Sequence, residues 1–194
     1  ALTFDMGGRV DPALDIMNYL IDNRIPATIF MTGSMVDNIY TDAGRQVLAL
    51  GEANQGLFDC GNHSYSHPVF TGLTAAEMTK EIRDTEAAIA RHSTLDPRPY
   101  FRPPYGDYDA TSLGYLYENG YYFSIWWTCD THGWAGWGSQ EIVDYCTTNL
   151  AEDEILLLHV GAAAAGDFEA VPGLIQVFRD NGYGFVTVEQ RLQP

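Results

Sequence analysis

The chain contains 194 residues, 46% of them hydrophobic, which suits one globular domain with a sizeable core. No apolar run approaches the roughly 20 residues of a membrane span, so we expect none. The 26 acidic residues outnumber the 10 basic ones, and the formal net charge of −16 makes nucleic acid and strongly anionic polymers unsuitable partners.

Apolar strand patterns alternate with helical patterns along the chain. Strands are predicted at residues 2–5, 27–31, 57–61, 122–127, 155–159 and 184–188. Helices are predicted at residues 12–23, 43–53, 75–91 and 171–181, and residues 161–166 form a loop or the start of a helix. This alternation predicts an α/β fold around a parallel sheet in one domain over residues 1–194, either a barrel or an open sheet.

The first predicted strand carries a carboxylate at its end. Residues 2–5 form a short apolar run that finishes at Asp5, and Gly7 and Gly8 follow shortly after. The pattern predicts that Asp5 stands at the C-terminal tip of a strand, before a tight turn. That position suits a catalytic carboxylate, although a helix-capping role would explain the same residue.

A pair of histidines follows the third predicted strand. His63 and His67 are four residues apart, a spacing that places both imidazoles on one side of a helical turn. Neutral ring nitrogens in that arrangement can bind one divalent metal ion. The alternative is a pair that only caps the turn.

Two further segments supply a cation and a proton donor. Arg102 and Tyr105 lie in the run Arg102-Pro103-Pro104-Tyr105, where two prolines stiffen the loop and hold the flanking side chains. His159 ends the apolar run 155–159, where a histidine is placed to give or take a proton. The structural alternatives are a surface ion pair for Arg102 and a buried, fully paired histidine for His159.

Aromatic residues cluster after the strand predicted at 122–127. Trp134 and Trp137 lie on a glycine-flanked segment and are free to stack on the face of a pyranose ring. Plain packing is the alternative.

The three cysteines cannot all pair within one chain, and their spacing shows no metal motif. Cys129 and Cys146 could form a disulfide in an oxidising compartment, whereas Cys60 is expected to be a small buried apolar residue.

The order of these segments resembles the polysaccharide deacetylases of carbohydrate esterase family four, the NodB-homology domain. The resemblance rests on Asp5 at a first strand end, His-Ser-Tyr-Ser-His at 63–67, Arg-Pro-Pro-Tyr at 102–105, Asp-Thr-His-Gly-Trp at 130–134 and the apolar strand ending at His159. It runs from Leu2 to about Leu192, nearly the whole chain. It implies a distorted (β/α)7 barrel.

The resemblance also implies roles for the residues that match its motifs. Asp5 would be the catalytic base, Arg102 the residue that orients it, and His159 the general acid. The backbone N–H of Tyr105 would stabilise the oxyanion.

The same resemblance implies a metal and a substrate. His63 and His67 would bind a divalent ion, with zinc favoured and cobalt or nickel as alternatives. Tyr105, Trp134 and Asp130 would contact the substrate.

Two positions depart from the family pattern. Met6 stands where the family has a metal-binding aspartate, and a thioether is a poor ligand for zinc. Gly133 stands where the family has the carboxylate that tunes the acid histidine, and Asp130 is the nearest candidate to replace it.

The resulting expectation is metal-dependent hydrolysis of N-acetyl or O-acetyl groups on a polysaccharide or oligosaccharide. Chitin, chitooligosaccharides, the peptidoglycan glycan and acetylxylan are the substrates considered, and the net charge favours neutral ones. Met6 and Gly133 support the alternative of a carbohydrate-binding domain with little or no turnover, and a metal-free amidohydrolase is a third, more distant option.

Two expectations concern the setting of the protein. A monomer is expected. A secreted or cell-envelope location follows from the substrate class alone, because no signal-peptide pattern stands at the start of the sequence.

Overall fold

A curled sheet of parallel strands organises the part of the chain that the computed structural model describes, residues 1–7, 12–161 and 164–193. In chain order its seven strands are β1 (Leu2–Asp5), β2 (Ala27–Met31), β3 (Phe58–Asn62), β4 (Tyr100–Phe101), β5 (Phe123–Ser124), β6 (Cys129–Asp130) and β7 (Leu156–His159). The helices of this part are α1 (Ala13–Asn23), α2 (Gly33–Val36), α3 (Ala43–Ala53), α4 (Ala75–Ala90), α5 (Ala110–Glu118), α6 (Ser139–Thr147), α7 (Ala165–Asp180) and α8 (Val188–Leu192).

The strand order across the sheet is β5-β4-β3-β2-β1-β7-β6. β5 and β6 are neighbours in sequence, yet they stand at the two opposite edges of the sheet. The sheet is therefore a barrel left open between these two strands. The predicted α/β class and distorted (β/α)7 barrel are confirmed.

The central strands are built to be buried on both faces. Every residue of β1 and β2 is buried, and the same holds for β7 up to its last residue. Strands covered by helices on one face and packed inside the barrel on the other read as continuous apolar runs. Helix α1 covers the sheet with the buried residues Ala13, Ile16, Met17 and Leu20, the spacing of one helical face.

The parallel register brings strand ends together. Asp5 of β1 is the register partner of His159 in β7, and Asn62 of β3 is the partner of Phe101 in β4. Because all these strands point the same way, the residues at or just past their C-terminal ends meet at one rim of the barrel.

One strand prediction is too long and another is wrong. The strand predicted at 122–127 is limited to β5, because the carbonyls of Ile125 and Trp126 accept hydrogen bonds from the Arg102 side chain. Residues 184–188 form no strand, since Thr187 caps α8 through a reciprocal capping box with Gln190.

The helix predictions are closer. Helices α1, α3 and α4 lie within one residue of the predicted bounds. Helix α7 begins at Ala165, six residues before the predicted start, and contains Pro172 in its interior. Proline is most common in the first turn of a helix, so Pro172 gives no sign of the helical residues that precede it.

Two remaining features bear on the sequence expectations. Cys129 and Cys146 form a disulfide that joins β6 to α6, and Cys60 is a buried free thiol. No helix within residues 1–7, 12–161 and 164–193 is long and apolar enough to cross a membrane.

Candidate active site

A buried carboxylate and guanidinium form the floor of the site. Asp5 ends β1 with 4% of its surface exposed, and its Oδ1 accepts a hydrogen bond of 2.8 Å from Nη1 of the fully buried Arg102. The Arg102 guanidinium also lies 4.2 Å from the centre of the Phe30 ring. With its position set from several sides, Arg102 in turn holds one oxygen of Asp5 in place.

The neighbours of Asp5 determine its ionisation state. Burial opposes the charged carboxylate, but neighbouring groups that favour it, with the charge and hydrogen bond of Arg102 foremost, outweigh that effect, and the pKa of Asp5 lies below its ordinary value. Asp5 is therefore an anion at neutral pH, able to accept a proton.

The two histidines lie together, though not on a helical turn. His63 follows β3 directly, and the ring centres of His63 and His67 are 4.8 Å apart. Ser64 and His67 both have positive φ angles, 65° and 60°, so the segment is an irregular turn and the predicted helical geometry is wrong. The turn is held by Asn62, whose side chain accepts from the Ser64 backbone N–H at 2.8 Å.

Both histidines are neutral. Burial lowers the pKa of His63 below its ordinary value and lowers the pKa of His67 to about 4. The Nδ1 of His63 lies 2.7 Å from the carbonyl oxygen of Arg102, which requires the proton of a neutral ring on Nδ1. Nε2 of His63 is then unprotonated, and its free lone pair faces Oδ2 of Asp5 at 3.3 Å.

These residues fit a divalent cation in donor chemistry. A neutral imidazole nitrogen and a carboxylate oxygen that face each other repel, unless a positive ion lies between them. Within residues 1–7, 12–161 and 164–193, however, no three His, Cys, Asp or Glu side chains are already arranged to hold a metal ion.

Met6 contributes nothing to the rim. Its side chain is fully buried in the main hydrophobic core. Its backbone is fixed there, since its N–H donates to the carbonyl of Phe30 and its carbonyl accepts from the hydroxyl of Thr32. Where the family has a metal-binding aspartate, this chain therefore has a side chain that is packed in the core.

His159 lies beside Asp5 on the neighbouring strand β7 and contacts a carboxylate that the sequence did not indicate. Oδ2 of Asp167 accepts the backbone N–H of His159 at 2.8 Å and lies 3.4 Å from its Nδ1. Burial lowers the pKa of His159, but the contact with Asp167 and the charges of Asp5, Asp167 and Asp130 outweigh it, so the pKa is raised overall.

Asp130 does not replace the family carboxylate beside His159. Its Oδ1 accepts hydrogen bonds from the backbone N–H of His132 at 2.9 Å and from Nε1 of Trp134 at 3.2 Å. Asp130 thus holds the indole of Trp134, which is 57% exposed, at the edge of the cleft.

Tyr105 forms the opposite wall of the cleft. Its ring lies 4.6 Å from the ring of His67, edge to face, and the residue is 68% exposed. Its φ angle of 59° is a left-handed conformation that costs a non-glycine residue energy, as at many functional sites.

The cleft between these walls has a volume of about 440 Å³, in the size range of small-molecule sites. Its lining includes most of the residues that the sequence indicated and adds Gly7, Gly106, Trp127 and Leu157; those indicated are Asp5, His63, His67, Tyr105, Asp130, Trp134 and His159. Arg102 lies beneath this lining, against Asp5.

Known proteins resemble this chain over most of its length. The polysaccharide deacetylase family model matches residues 1–124. The chain is 27% identical over 195 residues to a peptidoglycan-N-acetylglucosamine deacetylase from Bacillus cereus, with 100% of this chain and 68% of that protein covered.

Solved structures show the same fold. The T48 deacetylase with substrate superimposes with a TM-score of 0.81 at 28% identity, covering 98% of this chain and 88% of the other. A family 4 pseudoenzyme from Bacillus anthracis has a TM-score of 0.83 at 21% identity, covering 100% and 64%, and that likeness shows the fold alone.

Proposed function

The chain belongs to the polysaccharide deacetylase family, and we propose that it is a metal-dependent enzyme that removes acetyl groups from a neutral glycan. Chitooligosaccharides and acetylated xylan are the favoured substrates, since the net charge of −16 opposes a strongly anionic polymer. The observation that carries the proposal is the cleft in which Oδ2 of Asp5 faces Nε2 of His63 at 3.3 Å.

His63 and His67 would hold the metal ion, because both rings are neutral and border the cleft. What a divalent ion supplies when bound there is Lewis acidity toward the acetyl oxygen and toward water.

The two oxygens of Asp5 have different tasks. Oδ1 is held by Arg102, and Oδ2 is directed toward His63 and the cleft. Asp5, an anion at neutral pH, takes a proton from the attacking water while the oxygen of that water bonds to the acetyl carbon. The Tyr105 N–H would donate to the oxyanion that forms on the acetyl oxygen.

His159 completes the reaction from the neighbouring strand β7. Its raised pKa keeps the imidazole protonated to higher pH, so that it can donate a proton to the departing sugar nitrogen or oxygen. The bond between the acetyl carbon and that atom breaks, and acetate and the deacetylated sugar leave. Trp134, fixed by Asp130, would stack on the sugar ring.

The test is acetate release from chitooligosaccharides and acetylated xylan. The purified chain is assayed after chelation and again with zinc, cobalt or nickel added back. Release that is lost on chelation and restored by metal is expected. Release that persists at full rate after chelation would contradict the metal dependence.

A second function, glycan binding without turnover, is favoured by a separate observation. Met6 is packed in the core, so the family's third metal-binding side chain has no counterpart in the cleft. The scaffold could then bind glycan without turnover. Glycan binding in the absence of acetate release with every metal would favour this function over hydrolysis.

A further inference from the structure

A buried aspartate lies behind His159 on a helix that carries none of the family motifs. Asp167, in the first turn of α7, has no exposed surface, although an ionised carboxylate is costly to bury without a partner. Its Oδ2 contacts both the backbone N–H and Nδ1 of His159. Its Oδ1 has no hydrogen-bond partner among the described residues.

The Asp167 carboxylate lies where a side chain at position 133 would have to be. A Cβ atom built on Gly133 would lie 2.3 Å from Oδ1, 2.4 Å from Cγ and 2.7 Å from Oδ2 of Asp167. Real Cβ atoms do not approach other heavy atoms so closely. The Asp167 carboxylate therefore occupies the volume that a side chain at position 133 would need.

We propose that Asp167 is the positioning residue for His159. Its carboxylate, supplied by helix α7, takes the place of a side chain at position 133, which has no room for one while Asp167 is present. Nδ1 of His159 lies 3.4 Å from Oδ2 of Asp167 and, like Oδ1 of Asp167, makes no hydrogen bond among the described residues. The negative charge of the carboxylate favours a proton on Nδ1 whether the ring is neutral or charged, which leaves Nε2 to carry the proton that the acid donates. A carboxylate that orients a catalytic histidine acts in this way without touching the substrate.

The inference rests on the proposed function, because the group that Asp167 positions is the proposed general acid. It predicts that the two positions are exchangeable. Asp167→Ala removes all three atoms that a Cβ on Gly133 would meet. Gly133→Asp should therefore be damaging alone and restorative in the Asp167→Ala chain.

The experiment compares kcat and KM for acetate release in the native chain, Asp167→Ala, Gly133→Asp and the double variant. Asp167→Ala should lower kcat about 10²-fold, a large part of what a positioned general acid contributes, while KM changes little. The double variant should recover at least about tenfold of that loss. Glu169→Ala, an exposed carboxylate on the same helix, is the control expected to keep native activity.

A second double variant separates charge from packing. Gly133→Ala with Asp167→Ala also fills part of the vacated space, but it supplies no carboxylate. It should stay as impaired as Asp167→Ala. Equal recovery with alanine and aspartate at position 133, or no recovery with either, would overturn the proposal.

A readout that needs no turnover keeps the two proposals distinct. At a pH high enough for the ring to be neutral, the ¹⁵N resonances of the His159 ring, assigned by their loss in His159→Gln, should report a proton on Nδ1 in the native chain and in the carboxylate-restoring double variant. That signature should be lost in Asp167→Ala. An inactive native chain that shows this pattern would contradict the proposed function alone, whereas a signature indifferent to Asp167 would overturn the present inference.

Discussion

The two sides of the cleft are built in different ways. The β1–β4 side, formed by Asp5, His63 and Arg102, is at most 4% exposed and is closed by contacts among these three residues. The β6–β7 side, formed by Asp130, His159 and Asp167, includes partly exposed side chains and depends on a helix. The first side depends on residues at or just past strand ends, whereas the second also uses a carboxylate from helix α7.

The largest effect is expected from Asp5→Asn on the β1–β4 side. The amide keeps the volume of the carboxylate but cannot take a proton, so kcat should fall roughly 10³- to 10⁴-fold. Acetate release measures this, with the exposed Asp15→Asn as the control. Turnover that stays near the native value would remove Asp5 from the role of base.

Arg102→Met should cause the largest loss of stability. It leaves the Asp5 carboxylate buried without its cationic partner, which should lower the free energy of unfolding by about 3–5 kcal/mol. Urea unfolding followed by circular dichroism measures the loss. The exposed Arg98, paired with Asp96, is the matched control, and Arg98→Met should cost less than about 1 kcal/mol. Equal losses in the two variants would show that the buried pair has no special weight.

His63→Ala should weaken zinc binding more than about 100-fold, because it removes a ligand whose Nδ1 is already fixed by the Arg102 carbonyl. Calorimetric titration of the chelated protein with zinc measures the affinity. The exposed His92→Ala should bind zinc as the native chain does. Full zinc affinity without His63 would place the metal elsewhere.

The pH dependence of kcat/KM distinguishes the two sides. The base must be ionised and the acid protonated, so activity should rise with pH through the lowered pKa of Asp5 and fall through the raised pKa of His159. Asp167→Asn removes a negative charge beside His159, which lowers the pKa of that histidine. The alkaline fall should then move to lower pH, while the acidic limb stays in place. An unmoved alkaline limb would assign it to another group.

The smallest effect is expected at the outer wall. Trp134→Ala removes an exposed ring that Asp130 holds in place, and KM should rise about fivefold, or about 1 kcal/mol, with kcat little changed. Tyr117→Ala removes a similarly exposed aromatic ring from α5 and should leave KM unchanged. A similar rise in both variants would point to a general surface effect.

The sequence allowed the β1–β4 side to be predicted because its residues directly follow recognisable strands or motifs. Asp5 ends an apolar run, His63 follows one, and Arg102 precedes two prolines. In a parallel sheet the ends of such runs meet without further information. The irregular turn between His63 and His67 could not be foreseen, since it depends on the side chain of Asn62 and on two left-handed residues.

The β6–β7 side was harder to predict for a physical reason. Strand β6 is only two residues long, too short for a period-two pattern, and the contact between Asp167 and His159 depends on how α7 packs against the sheet. An aspartate eight residues after a histidine carries no local signal. The one available indication was the glycine at position 133, a site where a missing side chain implies that another group fills the space.

The most direct test of the proposed metal site is a crystal of the protein soaked with zinc and measured with X-rays at the zinc absorption edge. A single strong anomalous peak within about 2.0–2.1 Å of nitrogens of His63 and His67, on the side of Asp5, is the predicted result. A map with no peak in the cleft, or with zinc bound only outside it, would contradict the assignment of these histidines as ligands.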